Sequence, residues 1–190
     1  MSAVIPDYVE PFEGWRVWRA SNEGSHLRLR SVVQETVWPP REELAAECLR
    51  RRILARLRRR PRHEAPAEAC ACGIYATSLD RLGSYLHDRG GGGAHYVFGR
   101  VLLWGTVIEC EQGWRAARAY PAEIIVPAPP RASSPTIMAP RKPAGATAEE
   151  IADALSCYAV PVVVLPHTPA EALDVVALEH GRGGRIGSAR

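Results

Sequence analysis

Lysine is nearly absent from this chain. Of its 24 basic residues only Lys142 is a lysine, and the rest are arginines. A G+C-rich coding bias produces the same skew, so arginine content alone does not indicate an acidic ligand. The net charge of +3 is mild. Only a local cluster of arginines would therefore indicate an acidic ligand.

Long apolar runs and export signals are also absent. The longest apolar run, from Val160 to Leu165, is interrupted by Pro161 and falls far short of the roughly 18 residues that cross a bilayer. The first 15 residues carry three acidic side chains and no basic start followed by an apolar core. We therefore expect a cytoplasmic protein with no membrane partner. There, five cysteines are better explained as ligands or core residues than as disulfides.

The common catalytic motifs are missing too. The Gly90–Gly93 run lacks the Lys-Ser/Thr pair of a phosphate-binding loop, and no G-x-S-x-G, H-E-x-x-H or EF-hand pattern occurs. These absences exclude the enzyme classes that such motifs identify. A hydrophobic content of 46% and five tryptophans nevertheless favour a globular fold.

Residue patterns predict strands and helices along most of the chain. Residues 14–20 and 26–33 are typical of a β-hairpin, and residues 41–60 of a helix with acidic residues near its start and arginines near its end. Gly99 and Gly105 interrupt a later strand where a curved sheet would place bends or bulges. The other expected elements are a loop at 63–72, a strand at 73–76, a helix at 78–88, hairpin arms at 95–110 and 114–126, a helix at 147–158, a strand at 160–165 and a helix at 169–180.

These elements predict an α+β fold, with a curved, mainly antiparallel sheet or small barrel, inserted helices and a zinc-pinned loop. Residues 1–126 are expected to form the main β-rich domain. The proline-rich residues 127–146 would be a linker or strap, and residues 147–180 an extension packed on the main domain. Residues 181–190 are predicted to be a disordered tail.

A cluster of potential metal ligands is the most informative feature of the sequence. His63, Cys70 and Cys72 lie within ten residues, and Cys48 precedes them in a C-x14-H-x6-C-x-C pattern. Thiolate and imidazole ligands suit structural zinc. The loop between them is mostly alanine, so a metal could hold a segment that side-chain burial cannot. The alternative is that these cysteines are small buried residues of the core, as we expect for Cys110 and Cys157.

A catalytic zinc site fits the pattern less well. Zinc deaminases carry H-x-E and a later P-C-x-x-C, whereas here His63 and Glu64 are adjacent and the cysteines are separated by one residue. If all four ligands come from the protein, no position remains for water. We therefore predict a structural site and no catalytic residues, with a small metal-dependent enzyme as an alternative.

The highest density of arginines in the sequence lies between Cys48 and His63. Eight of the thirteen residues from Arg50 to Arg62 are arginines, a density that can grip phosphates. The candidate contacts are Arg50, Arg51, Arg52, Arg56, Arg58, Arg59 and Arg60. We predict a non-catalytic binding module that contacts nucleic acid through them. A subunit or adaptor that binds an acidic protein partner, and a merely solvated helix face, are the alternatives.

Three short motifs carry a resemblance to known proteins. The segments GWRVW, CACGIYA and VLLWGTVIE with GWRAARAYP resemble a family of small, mostly uncharacterised bacterial proteins, over residues 12–165. A curved hairpin with helices inserted between strands is also loosely similar to PUA and ASCH-type barrels, which bind RNA or modified bases. This second likeness concerns architecture alone and implies no site residues.

Overall fold

The computed structural model describes residues 4–5, 10–48, 63–87, 95–128 and 146–183. Within these ranges the chain forms one sheet and three α-helices. The strands are β1 (Val4–Ile5), β2 (Phe12–Glu23), β3 (His26–Ser31), β4 (Leu44–Ala45), β5 (Ile74–Ala76), β6 (His95–Cys110), β7 (Gly113–Pro121), β8 (Ile124–Pro127) and β9 (Val162–Leu165). The helices are α1 (Leu79–His87), α2 (Ala148–Leu155) and α3 (Pro169–Gly183), and a 3₁₀ turn (Ser156–Tyr158) follows α2.

The long strand β6 lies at the centre of the sheet. It pairs antiparallel with β2 on one side and β7 on the other, in the order β3-β2-β6-β7-β4. Among the described strands only β8 and β9 pair in parallel. These pairings confirm the α+β class with a curved, mainly antiparallel sheet. The predicted β2–β3 hairpin and the strand at 73–76 are also confirmed.

Both glycines of β6 have structural roles, but different ones. Gly105 has a φ of +70° and lies where the pairing with β7 shifts register, as expected of a bulge. Gly99 pairs regularly with β2, and its missing side chain instead admits the backbone of Glu123. The predicted second arm at 114–126 is therefore wrong in one respect. The strand is interrupted at residues 122–123, and the separate strand β8 that follows pairs with β6 and β9.

The helix predicted at 41–60 is wrong for residues 41–48. Leu44 and Ala45 form β4 and pair with β7, because its edge offers unpaired backbone groups. Arg41 has a φ of +62°, which a right-handed helix does not allow. Cys48 therefore follows a strand and does not lie on the predicted helix.

The strand β2 is buried on both faces, which explains its mixed residue pattern. Trp18 packs with Trp38 in a cluster that also contains residues of α2. Trp15 belongs to a second cluster on the opposite face, with residues of α1 and α3. In the first cluster the Tyr158 hydroxyl accepts a hydrogen bond from the Leu29 N–H at 2.9 Å and donates to the Trp38 carbonyl at 2.7 Å. Burial raises the pKa of Tyr158 to about 12.

The C-terminal elements join the same sheet and core. Thr147 and Glu150 form a capping box at the start of α2, which packs against β3 and β9. The helix α3 continues to Gly183, beyond the expected start of the tail at residue 181. The proline-rich residues 129–145 and residues 184–190 lie outside the described part of the chain. No helix within the described ranges is long and apolar enough to cross a bilayer.

Candidate metal centre

The four predicted ligands lie close together because the two segments that carry them both pair with β7. Cys48 lies three residues beyond β4, and the loop with His63, Cys70 and Cys72 leads directly into β5. Both short strands pair with β7, β4 near its end and β5 near its start. A ligand from one segment therefore meets three ligands from the other at the same edge of the sheet.

Distances between the ligand atoms match a tetrahedral metal site. The sulfur atoms of Cys48 and Cys70 are 3.8 Å apart, and the Cys72 sulfur is 3.5 Å from His63 Nε2. All four ligand atoms lie within 4.8 Å of one another. A tetrahedron with metal–sulfur bonds of about 2.3 Å and a metal–nitrogen bond of about 2.0 Å has edges of about 3.8 and 3.5 Å. This Cys3His cluster could hold a metal ion, although the donor set does not by itself identify zinc.

The thiols are reduced and one of them favours its neutral form. The five cysteines form no disulfide in the described part of the chain, and the separation of 3.8 Å between the Cys48 and Cys70 sulfurs is far longer than the disulfide bond of about 2.05 Å. Burial raises the pKa of Cys72, and the neighbouring Cys70 and Cys48 thiols add to that shift. A divalent cation would reverse this balance, because metal binding displaces the thiol protons.

Arg115 fastens the ligand loop to the sheet. This buried residue of β7 donates from Nη1 to the Cys72 carbonyl at 3.0 Å, to the Cys70 carbonyl, and to the Ala67 carbonyl at 3.4 Å. Its Nε donates to the Cys110 sulfur at 3.1 Å. Burial alone would lower the pKa of Arg115, but the hydrogen bond with Cys110 and the charges of nearby groups raise it. The guanidinium therefore supports the loop backbone and places a positive charge beside the thiols.

Sequence reasoning missed Arg115, although β7 did carry a signal. Arg115 and Arg118 lie on opposite faces of that strand, so one of them had to face the covered side of the sheet. Arg118 remains exposed and pairs with Glu43 at 2.8 Å. The expectation for Cys110 must also be amended, because its sulfur is half-buried and accepts the bond from Arg115.

The predicted phosphate-binding arginines cannot be placed in the same way. Residues 49–62 lie outside the described part of the chain. That range holds every arginine named as a nucleic-acid or partner contact: Arg50, Arg51, Arg52, Arg56, Arg58, Arg59 and Arg60. Their contact with nucleic acid or an acidic protein stays a prediction.

A cavity of about 1040 Å³ lies next to the ligand cluster. Residues 44, 45 and 47, which precede Cys48, form part of its wall, and residues 71 and 73–77 form another part. Arg16 of β2, which sequence reasoning did not single out, also borders it. The Cys/His cluster therefore joins two segments that enclose the cavity. A site of this size accommodates an organic small molecule.

Comparisons with known proteins return no match: no protein-family model, no curated protein and no solved structure is detectably similar to this chain. The resemblance to small bacterial proteins and the architectural likeness to PUA and ASCH-type barrels therefore stay predictions.

Proposed function

We propose that this chain is a non-catalytic binding module whose Cys3His cluster holds a structural zinc ion. The supporting observation is the agreement between the ligand separations of 3.8 and 3.5 Å and the edges of a zinc tetrahedron. Four protein ligands would leave no coordination position for water or substrate, so we assign the ion a structural role. Three sulfur ligands favour zinc over the harder magnesium and calcium ions. Cysteines that form no disulfide among the described residues suit a reducing compartment such as the cytoplasm.

The proposed ion stabilises the walls of the cavity. The ligand loop offers few apolar side chains, and its described contacts to the sheet centre on Arg115. A metal bound to Cys48 and to this loop would cross-link two walls directly. The function of the zinc would then be to preserve the shape of the cavity.

Metal analysis with matched variants tests this proposal. We expect about one zinc per purified wild-type chain, loss of that zinc in C72S, and retention in C157S, because Cys157 is not a member of the cluster. Cobalt substitution should give the sulfur charge-transfer and intense d–d bands of a tetrahedral thiolate site in the wild type but not in C72S. A chain that purifies without stoichiometric metal and stays fully folded in chelator would overturn the assignment.

Nucleic acid is the proposed partner of the arginine-rich segment. The support is its density of eight arginines in thirteen residues, which suits salt-sensitive binding to phosphates. Retention on DNA or heparin should fall steeply with salt, and it should be lost in the triple variant R52E/R56E/R59E. Unchanged retention would remove nucleic acid from the proposal. A stoichiometric acidic protein that co-purifies without nucleic acid would favour the adaptor alternative.

A further inference from the structure

Arg16 is a charged residue on a strand face that is otherwise apolar. It shares its face of β2 with Trp18 and Ala20, which are both buried in the first core cluster. Its guanidinium lies 5.1 Å from the ring centre of Trp38. The same group borders the cavity. The sheet therefore presents a cation at the wall of a pocket that is lined mainly, though not entirely, by apolar residues.

Arg16 uses only part of its hydrogen-bonding capacity. Its Nη1 donates to the Tyr75 carbonyl, and its Nη2 donates to the Ser31 hydroxyl at 2.9 Å. Its Nε is buried and has no acceptor in the described part of the chain. An arginine carries five N–H donors. The two other donors on the terminal nitrogens thus also lack a protein acceptor among the described residues.

No carboxylate neutralises Arg16 in the described ranges. Arg19, Arg30, Arg100 and Arg118 each form an ion pair there, whereas Arg16 forms none. Desolvation lowers the pKa of Arg16 to about 10, which still leaves it charged at neutral pH. A desolvated charge without a counter-ion is unfavourable unless something else compensates it. An anionic ligand would provide that compensation.

The rest of the cavity defines the other part of the ligand. Apolar walls come from Leu44, Ile74 and Trp114, and an exposed Val33 stands at its border. Two carboxylates, Glu47 and Glu111, also border the cavity without an arginine partner in the described part of the chain, and they would repel an anionic head group placed near them. The mainly apolar walls therefore favour an apolar body, and among the described residues that line the cavity only Arg16 offers an uncompensated cation.

We propose that the cavity binds a small organic anion, with its carboxylate or phosphate head on Arg16 and its apolar body against the surrounding walls. The Ser31 hydroxyl lies beside the guanidinium and offers the head group a further polar contact. The proposal rests on the proposed function in one respect, because the zinc site would hold two of the cavity walls in place.

Two fluorescent probes with the same aromatic body test the proposal. Anilinonaphthalene sulfonate carries an anionic group, and N-phenylnaphthylamine lacks it. We expect the wild-type protein to bind the sulfonate at least about tenfold more tightly than the neutral amine, as a charge-assisted contact implies. R16Q should lose about tenfold in sulfonate affinity and change little for the amine. The matched control is R19Q, because Arg19 lies on the same strand but pairs with Glu35 and does not border the cavity.

A second variant, two competing ligands and a zinc measurement complete the test. If R16Q does not fold, R16K should retain the preference for the anionic probe, because it keeps the charge. Displacement of the sulfonate by naphthoate or by naphthyl phosphate would support the proposal and show which head group is preferred. Equal binding of the two probes, or unchanged sulfonate binding in R16Q, would overturn it. Zinc content measured on the same samples reports separately on the proposed function, so a metal-free protein that still prefers the anion would reject only the zinc.

Discussion

Arg16 and Arg115 show two uses of an arginine inside this protein. Arg115 directs its donors to loop carbonyls and to the Cys110 sulfur. Arg16 has two bonded donors, a tryptophan ring beside it and no carboxylate among the described residues. Because the donors of Arg115 go to protein acceptors, it acts as a structural clamp. The spare donors of Arg16 make it a recognition residue in our proposal.

The clamp at Arg115 leads to a prediction for R115Q. The substitution leaves the buried Cys72 carbonyl without its arginine donor and removes the Arg115 contact with Ala67, so the free energy of unfolding should fall by about 2–3 kcal/mol. Zinc affinity should fall by about tenfold or more, because the loop that carries three ligands loses its support. Chemical denaturation and competition with a fluorescent chelator measure the two effects.

R118Q is the control for this prediction. Arg118 lies on the same strand, but its pair with Glu43 is exposed, and such pairs contribute about 0–1 kcal/mol. The R118Q substitution should therefore leave zinc affinity unchanged. If R118Q and R115Q behaved alike, the hydrogen bonds of Arg115 to the loop would not be what supports the site.

At the scale of elements, the contact between β6 and β8 depends on one missing side chain. A Cβ on Gly99 would lie 2.0 Å from the Glu123 carbonyl oxygen and 3.2 Å from the Ile124 Cα. These are backbone atoms that cannot rotate away. The β8–β9 pair therefore joins the sheet only because β6 carries a glycine at this position.

G99A should consequently destabilise the protein strongly. We expect the free energy of unfolding to fall by about 3 kcal/mol or more, since β8 must move away from β6 to relieve the clash. The matched substitution G83A lies within α1, where the new Cβ would meet Leu173 Cδ2 at 3.4 Å. Its improved helix propensity of about 0.5–1 kcal/mol should leave stability unchanged or higher. A G99A protein as stable as wild type would show that this close approach does not exist in solution.

For the whole molecule, a metal cross-link would join distant parts of the chain. Cys48 and Cys72 enclose a segment of the chain that the bound ion would close into a loop. Closing such a loop limits the freedom of the unfolded chain and contributes about 3 kcal/mol in a chain-entropy model. The direct metal–ligand bonds add to this contribution, because the unfolded chain does not present a preformed site.

Chelation should therefore lower the melting temperature of the wild-type protein. A loss of about 3 kcal/mol corresponds to a decrease of about 6–12 °C for a chain of this length. The C157S protein should show the same decrease, whereas C48S should melt at a lower temperature from the start and not respond to chelator. Differential scanning calorimetry with and without chelator measures this. A C48S protein that responds like the wild type would place any bound metal elsewhere.

Sequence reasoning succeeded where local patterns decide the outcome. The alternation around Trp15 and Trp18 identified β2, and Thr147 marked the start of a helix. It failed at residues 41–48, where prolines followed by acidic residues suggested a helix. There the edge of β7 offers backbone partners, and pairing with a distant strand outweighed local helix propensity.

The four potential metal ligands, the two main hairpins and the α+β class follow from chemistry and periodicity that are already present in the residues. Only the tertiary structure decided that β4 and β5 meet on β7, that Arg115 supports the ligand loop, and that Arg16 faces a cavity. The physical reason is the difference in sequence separation between the residues that interact. Strand alternation and helix caps act over a few residues, whereas the clamp and the cavity depend on contacts between segments far apart in the chain.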